Sequence, residues 1–173
     1  ISLGTKKSTL NNKINKPIIR MIFTSDDKKV ITSDIDKRIQ IWDSENGELI
    51  KELQPFHTKT VNLITLSSDN KTLLTAESDG KIALWDVSSG SQKNILLGIK
   101  GYIDDVKIIE NKTIVIIHDN KVSFYNIEGV FISSMTSGTT KKQYLLSPDH
   151  QKAVIFSINE NLIFIWDIKS NKL

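Results

Sequence analysis

The hexapeptide Lys81-Ile82-Ala83-Leu84-Trp85-Asp86 recurs along this sequence in three related forms. The other copies are residues 38–43 (RIQIWD), 121–126 (KVSFYN) and 162–167 (LIFIWD). Their aromatic residues follow one another at intervals of 43, 40 and 41 residues, as Trp42, Trp85, Tyr125 and Trp166. A repeat of about 40 to 45 residues is long enough for one small sheet of four strands. The sequence therefore predicts four copies of one structural unit.

Turn-forming residues divide each unit at matching positions. An acidic residue stands six positions before each aromatic residue, as Asp36, Asp79, Asp119 and Glu160. A residue that tolerates positive φ follows four or five positions after it, as Gly47, Gly90, Gly129 and Asn171. Between the turns lie short runs of β-branched and aromatic residues, and no window has a helical period. We expect an all-β chain of fifteen strands, four in each unit except the last, which has three.

The composition excludes several function classes. With no cysteine, the chain can form neither a disulfide framework nor a thiolate site. No stretch approaches the roughly 18 consecutive apolar residues that a membrane helix needs. The net charge of +3 depends on four lysines before residue 17, and the rest of the chain is slightly acidic. Binding along a nucleic acid is therefore not expected.

The second unit carries the fullest match to a known pattern, because it contains His57, Thr75, Asp79 and Trp85 at the spacing of a WD repeat. It resembles that family, and the resemblance implies a tetrad inside the unit. In this tetrad an indole N–H, a hydroxyl, an imidazole and a carboxylate satisfy one another by hydrogen bonds. The resemblance also implies the fold, a β-propeller of four-stranded antiparallel blades, with about four blades in this chain.

The other units depart from the family pattern, since none of them has a histidine at the position of His57. Their signature residues are Asp36 and Trp42 in the first unit, Asp119 and Tyr125 in the third, and Glu160 and Trp166 in the fourth. In the second unit itself, Phe56 replaces the glycine of the family's Gly-His pair. We expect the four-stranded plan to hold in spite of these departures.

The spacing places the blades near residues 17–53, 57–97, 101–134 and 140–173. Residues 1–16 are interpreted as a lysine-rich leader or as the outer strand of a preceding blade. The chain begins with Ile1 and stops shortly after a repeat, so we expect it to be an excerpt of a longer protein. Because rings of this family typically close with about seven blades, further blades are expected from the rest of the chain or from another chain. Pairing of two copies and a complete four-bladed ring are the alternatives.

Catalysis, cofactor binding and metal binding are not expected. A hydroxyl, an imidazole and a carboxylate are the parts of a hydrolytic triad, but in the WD family this set is buried and bonded to the indole. The three histidines, His57, His118 and His150, are too far apart for a metal-binding motif, and the last two are expected in solvent. The carboxylate pairs at 26–27 and 104–105 are interpreted as a turn and a strand start.

The family-level interpretation is a non-catalytic scaffold that binds other proteins within a larger intracellular complex. The cytoplasm is the expected compartment, and transport, cytoskeletal and ciliary machinery are the complexes considered. Propellers bind through the face where the loops that enter each blade meet the turns that hold the repeated acid. The residues expected on that face are Asp34, Lys37, Lys59, Glu77, Lys100, Tyr102, His118 and Asn161, with Tyr102 as the anchor. No small-molecule substrate is expected.

Two other functions stay open. Residues 165–169 (IWDIK) resemble the end of the box by which some WD proteins dock to cullin ubiquitin ligases. The match is imperfect, because Lys169 replaces an arginine and Phe156 replaces a small residue. This reading would make the chain a substrate receptor. The third possibility is an accessory propeller domain of a larger enzyme.

Overall fold

A computed structural model describes residues 16–54, 56–77, 79–96, 99, 101–119, 121–136, 142–147, 152–157 and 162–167, which form fifteen strands in four sheets and no helix. The first sheet contains β1 (Ile18–Phe23), β2 (Lys29–Asp34), β3 (Ile39–Asp43) and β4 (Leu49–Glu52). The second contains β5 (Val61–Leu66), β6 (Thr72–Glu77), β7 (Ile82–Asp86) and β8 (Gln92–Leu96). The third contains β9 (Ile103–Ile109), β10 (Thr113–His118), β11 (Lys121–Asn126) and β12 (Phe131–Thr136). The fourth contains β13 (Lys142–Leu146), β14 (Lys152–Ser157) and β15 (Leu162–Asp167).

Within each sheet, every strand pairs antiparallel with its neighbour in the chain, so each sheet is a simple meander. The expectation of all-β, four-stranded units is confirmed for the first three sheets, and the fifteen strands of the described residues match the expected number. The glycines predicted to turn the chain do so, with Gly47 at φ 75° and Gly90 at φ 73°. These boundaries are local properties of turn residues, which is why the sequence predicts them well.

The core lies between the sheets rather than within them. All six residues of β6 are buried, because its two faces pack on two different neighbouring sheets. Leu73 and Trp85 belong to a cluster with Ile31 and Ile41 of the first sheet. The opposite face of the second sheet forms a cluster with the third sheet, which includes Leu74, Leu84, Ile114, Ile116 and Tyr125. The second sheet is therefore stabilised by burying both of its faces, at about 25 cal/mol per Å² of apolar surface.

Hydrogen bonds between successive sheets accompany this packing at the end where the first strand of each sheet turns into the second. Asn70, at φ 60°, accepts a hydrogen bond from the backbone N–H of Ser25 through its side-chain oxygen at 2.8 Å. Its amide nitrogen donates to the Ser25 hydroxyl, also at 2.8 Å. One sheet later, Asn111 accepts from the Ser68 hydroxyl at 2.9 Å. In the second and third sheets, a left-handed asparagine of this turn thus bonds the turn of the sheet before it.

The first strands β1, β5 and β9 lie next to one another in that order. The first three sheets consequently fan out with their first strands innermost and their fourth strands outermost. This arrangement brings the loops that enter β5 and β9 to the same edge as the turns that follow β2, β6 and β10. We call that edge the loop face. No helix in the described ranges is long and apolar enough to cross a bilayer.

Candidate interaction face and the network beneath it

A chain of buried hydrogen bonds runs through the second sheet. The Trp85 indole N–H donates to the Thr75 hydroxyl oxygen at 2.7 Å. That hydroxyl lies 2.7 Å from Nε2 of His57, and Nδ1 of His57 lies 2.9 Å from Oε1 of Glu77. The only assignment that satisfies every group has the hydroxyl donating to Nε2 and a neutral imidazole donating from Nδ1 to the carboxylate. The structure thus brings His57, Thr75 and Trp85 together as the resemblance implied.

The carboxylate of this network is Glu77, so the expected role of Asp79 is corrected. Thr75 and Glu77 are two residues apart on β6 and point to the same face. Asp79 lies beyond the end of the strand, in the turn, where its carboxylate pairs with the Lys59 ammonium at 3.0 Å. Glu77 is the last residue of β6, and this keeps its carboxylate in line with the Thr75 hydroxyl.

Glu77 also holds the loop that enters the second sheet. Its carboxylate oxygens accept hydrogen bonds from the backbone N–H of Thr58 at 2.8 Å and of Lys59 at 3.1 Å. The side chain is fully buried, so the prediction that Glu77 is exposed on the loop face for a partner is wrong. A buried carboxylate is stable when several donors satisfy it, as His57, Thr58 and Lys59 of the entering loop do here. Glu77 is therefore buried beneath the loop face and positions the backbone of the loop that forms it.

Burial lowers the pKa of His57 below its ordinary 6.5, and the neighbouring Glu77 carboxylate offsets only part of this effect. His57 is accordingly neutral, in agreement with the hydrogen-bond assignment. Nearer the surface, the hydrogen bond from Lys59 lowers the pKa of Asp79, and Asp79 in turn raises the pKa of Lys59. The deep network is thus uncharged at the imidazole, while the face above it carries a matched ion pair.

Different residues occupy the position equivalent to Glu77, the last of the second strand, in the two neighbouring sheets. In the first sheet Asp34 occupies it, fully buried, and accepts from the Arg38 side chain at 2.8 Å and the Arg38 backbone at 3.0 Å. In the third sheet His118 occupies it, with Nε2 2.8 Å from the Ser123 hydroxyl. Asp34 and His118 are buried, so their predicted exposure to a partner is wrong.

The aromatic signature residues occupy equivalent places in the first three sheets. Trp42 donates its indole N–H to Thr32 at 2.9 Å and is fully buried. Tyr125 is buried between the second and third sheets, and this burial raises its pKa. Trp166 lies on β15, and Glu160 lies outside the described residues. In three of the four repeats, the aromatic residue therefore occupies the same position on the third strand of its sheet.

Other predicted residues do reach the surface of the loop face. Tyr102 is 61% exposed, and the Lys59 side chain is 62% exposed. Lys37 is exposed in the turn after β2, and Asp36 beside it pairs with Lys16 at 3.4 Å. Lys100, Asn161, His150 and residues 1–15 lie outside the described residues. The surface that remains combines one large aromatic ring with charged side chains.

The sequence reasoning missed two features of this face. Lys81 places its ammonium 4.1 Å from the centroid of the Phe56 ring and donates to the Phe56 carbonyl at 2.7 Å. These contacts explain how an aromatic residue is held beside His57 in place of the family's glycine. Asp119 packs its carboxylate against Gly101, where a Cβ would overlap it. Neither contact has a signal in the sequence, because Lys81 and Phe56 are 25 residues apart and Asp119 is far along the chain from Gly101.

The carboxylate pairs belong to turns and strand ends. Asp26 accepts from the Thr24 hydroxyl at 2.6 Å and from the Lys28 N–H at 3.1 Å, and these bonds lower its pKa. Burial, together with the nearby Asp119 carboxylate, raises the pKa of Asp104. Among the residues described, no group of three or more histidine and acidic side chains is arranged to hold a metal.

Comparisons with known proteins agree with this architecture. Residues 4–43 and 47–86 match the family model described as "WD domain, G-beta repeat". Among solved structures, "Structure of U3-55K" has a TM-score of 0.72 at 16% identity and covers 90% of this chain and 53% of that chain. "Crystal structure of RRP9 WD40 repeats" has a TM-score of 0.72 at 16% identity, and the match covers 94% of this chain and 54% of that chain. "Crystal structure of the computationally designed Ika4 protein" has a TM-score of 0.77 at 16% identity, covering 96% and 99%.

The chain thus spans about half the length of the first two of these structures. A comparison with curated protein sequences found no match.

Proposed function

Since this chain is a WD-repeat protein with the fold of WD40 propellers, we propose that it is a non-catalytic platform that binds protein partners on its loop face. WD40 domains generally serve as interaction scaffolds, and the chain has the rigid sheets that such a role needs. The proposal extends to membership of a larger intracellular complex. It rests on the chemistry of the residues that the loop face exposes.

The observation that carries the proposal is Tyr102, a large aromatic side chain that is 61% exposed in the loop before β9. Interfaces draw much of their binding energy from a few such rings, and tyrosine is enriched among them. The residue before it, Gly101, is at φ 86° and packs against the Asp119 carboxylate. This contact fixes the loop before any partner arrives, which reduces the entropy cost of binding.

Lys59 supplies a second, charged contact on the same face. Its backbone N–H is held by the buried Glu77, and its ammonium pairs with Asp79 at 3.0 Å. An exposed pair of this kind contributes little to folding stability, typically about 0 to 1 kcal/mol. Charged groups at the rim of an interface chiefly set specificity and association rate. We assign this role to Lys59 and Asp79.

The triad-like residues beneath the face serve structure rather than reaction. The side chains of His57 and Glu77 are 1% and 0% exposed, and Thr75 is fully buried. The Thr75 hydroxyl is already engaged by the indole of Trp85 and by the imidazole. A nucleophile needs room for a reacting carbonyl group about 3 Å away. These three residues have no such room.

The experiment compares the partners of the wild-type chain with those of Tyr102→Ala and Lys59→Glu after affinity purification and quantitative mass spectrometry. Lys93→Glu is the matched control, because Lys93 is exposed on the outer strand β8, away from the loop face. We expect Tyr102→Ala to reduce the recovery of specific partners at least about tenfold, the cost of one anchor residue. Equal partner recovery from wild type and both loop-face variants would refute the proposal.

The alternatives from the sequence gain no support from these observations. Lys169 of the cullin-docking box lies outside the described residues. The accessory-domain interpretation concerns chemistry elsewhere and is not tested by this fold. The comparisons do not support a cytoskeletal or ciliary complex, so neither is proposed.

A further inference from the structure

A lysine of the entering segment pairs with the repeated acid in each of the first two sheets. Lys16 lies two residues before β1, and its ammonium is 3.4 Å from the Asp36 carboxylate. Lys59 lies two residues before β5, and its ammonium is 3.0 Å from the Asp79 carboxylate. Both pairs lie on the loop face, and all four side chains are partly exposed. The contact therefore belongs to the repeat and not to one sheet.

The third sheet keeps the acid of this pair and lacks the lysine. The residue two positions before β9 is Gly101, and the repeated acid is Asp119. The two positions still meet, because the Asp119 carboxylate lies where a Cβ of residue 101 would be. Among the residues that the structure describes, no lysine, arginine or histidine forms an ion pair with Asp119. The third sheet thus presents the acceptor of the repeated contact without its cation.

A second carboxylate adds to the negative charge at this place. Asp104 is exposed near the start of β9. Partial burial of its carboxyl group and repulsion from Asp119 raise the pKa of Asp104, and His118 offsets only part of this effect. A cation placed near two such carboxylates relieves their repulsion. The charges of Asp104 and Asp119 therefore favour a positive group on this part of the loop face.

The exposed ring of Tyr102 borders the two carboxylates. Tyr102 follows Gly101 directly, and Ile103 pairs with His118, so Tyr102 and Asp119 extend from neighbouring strand ends. An aromatic ring attracts a cation that lies within about 6 Å of its centroid. The apolar part of a long basic side chain also packs well on such a ring. Ring and carboxylates thus favour the same kind of ligand, a long side chain with a positive end.

We propose that the surface formed by Tyr102, Asp104 and Asp119 binds a lysine side chain of a protein partner. The partner's ammonium takes the place beside Asp119 that the Lys59 ammonium takes beside Asp79, and its methylene groups lie on the Tyr102 ring. This inference rests on the proposed function, because it names the chemistry of a partner that binds the loop face. Charge complementarity makes the contact selective, since an acidic or neutral segment gains nothing from the two carboxylates.

A defined peptide tests this chemistry without a known partner. Acetyl-Gly-Lys-Gly-amide is titrated into the isotope-labelled 173-residue chain, and the backbone amide resonances of Tyr102 and Asp104 are followed by NMR. The neutral control is the same peptide with its lysine ε-amino group acetylated. We expect saturable shifts at both amides with the basic peptide and no saturable shifts with the acetylated peptide.

Two variants of nearly unchanged shape remove the charges one at a time. Asp119→Asn and Asp104→Asn should each weaken the affinity for the basic peptide by about two- to fivefold, the range of one exposed ion pair. The matched control is Asp27→Asn, in the turn between β1 and β2 at the end of the sheet away from the loop face. It makes the same change of charge and should leave the affinity unchanged. The remaining amide resonances report whether each variant folds.

Equal shifts from the two peptides, or saturable shifts from neither, would overturn the inference. An affinity for the basic peptide that both loop-face variants retain would overturn it as well. The proposed function fails by a different result, namely full partner recovery from Tyr102→Ala and Lys59→Glu. Partner recovery that depends on Tyr102 but not on Asp104 or Asp119 would leave the binding platform in place and remove only the lysine site.

Discussion

Replacing Thr75 with valine tests the buried network most sharply, because the hydroxyl serves two partners at once. It accepts from the Trp85 indole and donates to His57 Nε2, each at 2.7 Å. Valine removes both bonds and leaves two buried polar groups unsatisfied. Each such group costs about 1 to 3 kcal/mol, so we expect the free energy of unfolding to fall by about 2 to 6 kcal/mol.

The first sheet provides a matched control. Thr32 stands at the equivalent position and accepts from the Trp42 indole at 2.9 Å, with no histidine in place beside it among the described residues. Thr32→Val thus leaves one buried group, the Trp42 indole N–H, without an acceptor, and the free energy of unfolding should fall by about 1 to 3 kcal/mol. The difference between the two variants isolates the contribution of the imidazole.

Urea unfolding followed by tryptophan fluorescence measures both losses, and a double-mutant cycle separates the pair. With Trp85→Phe already present, the loss caused by Thr75→Val should shrink by about 1 kcal/mol, since the indole no longer needs an acceptor. Equal losses for Thr75→Val and Thr32→Val, together with a coupling of zero, would refute the hydrogen-bond chain as an energetic unit.

Three further results follow from the same structure. Glu77→Gln should speed amide exchange at Thr58 and Lys59 and lower the free energy of unfolding by about 1 to 3 kcal/mol. Asp79→Asn should lower it by less than about 1 kcal/mol, because the Asp79 carboxylate is partly exposed. Because the pKa of His57 is lowered in the folded state, only the unfolded chain binds a proton at this residue as the pH first falls below 6.5. The free energy of unfolding should therefore be constant above that pH and decline below it. Urea titrations between about pH 7.5 and about pH 5.5 should show a smaller decline for His57→Gln than for the wild type. Asn70→Gly keeps the positive φ but removes both bonds to Ser25, so the exchange of the Ser25 amide should accelerate while Asn46→Gly, in an exposed turn after β3, leaves it unchanged.

The sequence predicted the strands well because turns and short β runs are local. Gly47 and Gly90 lie at positive φ in the turns between the third and fourth strands of their sheets, a conformation that glycine adopts without strain. The periodic aromatic residues then place four such units in one chain. The repeat length therefore predicted the number of units, and the turn residues predicted the strands within each unit.

The buried carboxylate was assigned wrongly because spacing from the aromatic residue counts positions along the chain. Contact is decided instead by alternation within β6, where Thr75 and Glu77 share a face and Asp79 lies beyond the strand. The two-residue period of a strand could have identified Glu77. Spacing and alternation gave different answers, and the structure follows alternation.

His118 was misplaced for a related reason. The turn after β10 contains two residues, since His118 pairs directly with Lys121. The turn after β6 is one residue longer, with Glu77 bonded to Lys81. Alignment on the aromatic residue therefore hides the equivalence of His118 and Glu77. The exposure of Tyr102 agrees with the sequence-based expectation, and its role in binding stays a prediction.

Successive repeats stack as equivalent sheets, with Trp85 and Tyr125 each facing the sheet before their own. Nuclear Overhauser contacts between the Trp85 indole protons and the methyl groups of Ile31 and Ile41 test it most directly, because those residues meet only if the second sheet packs on the first. We predict strong contacts to both isoleucines, together with slow exchange of the indole N–H. Contacts from Trp85 to residues of its own sheet alone would contradict the stacking.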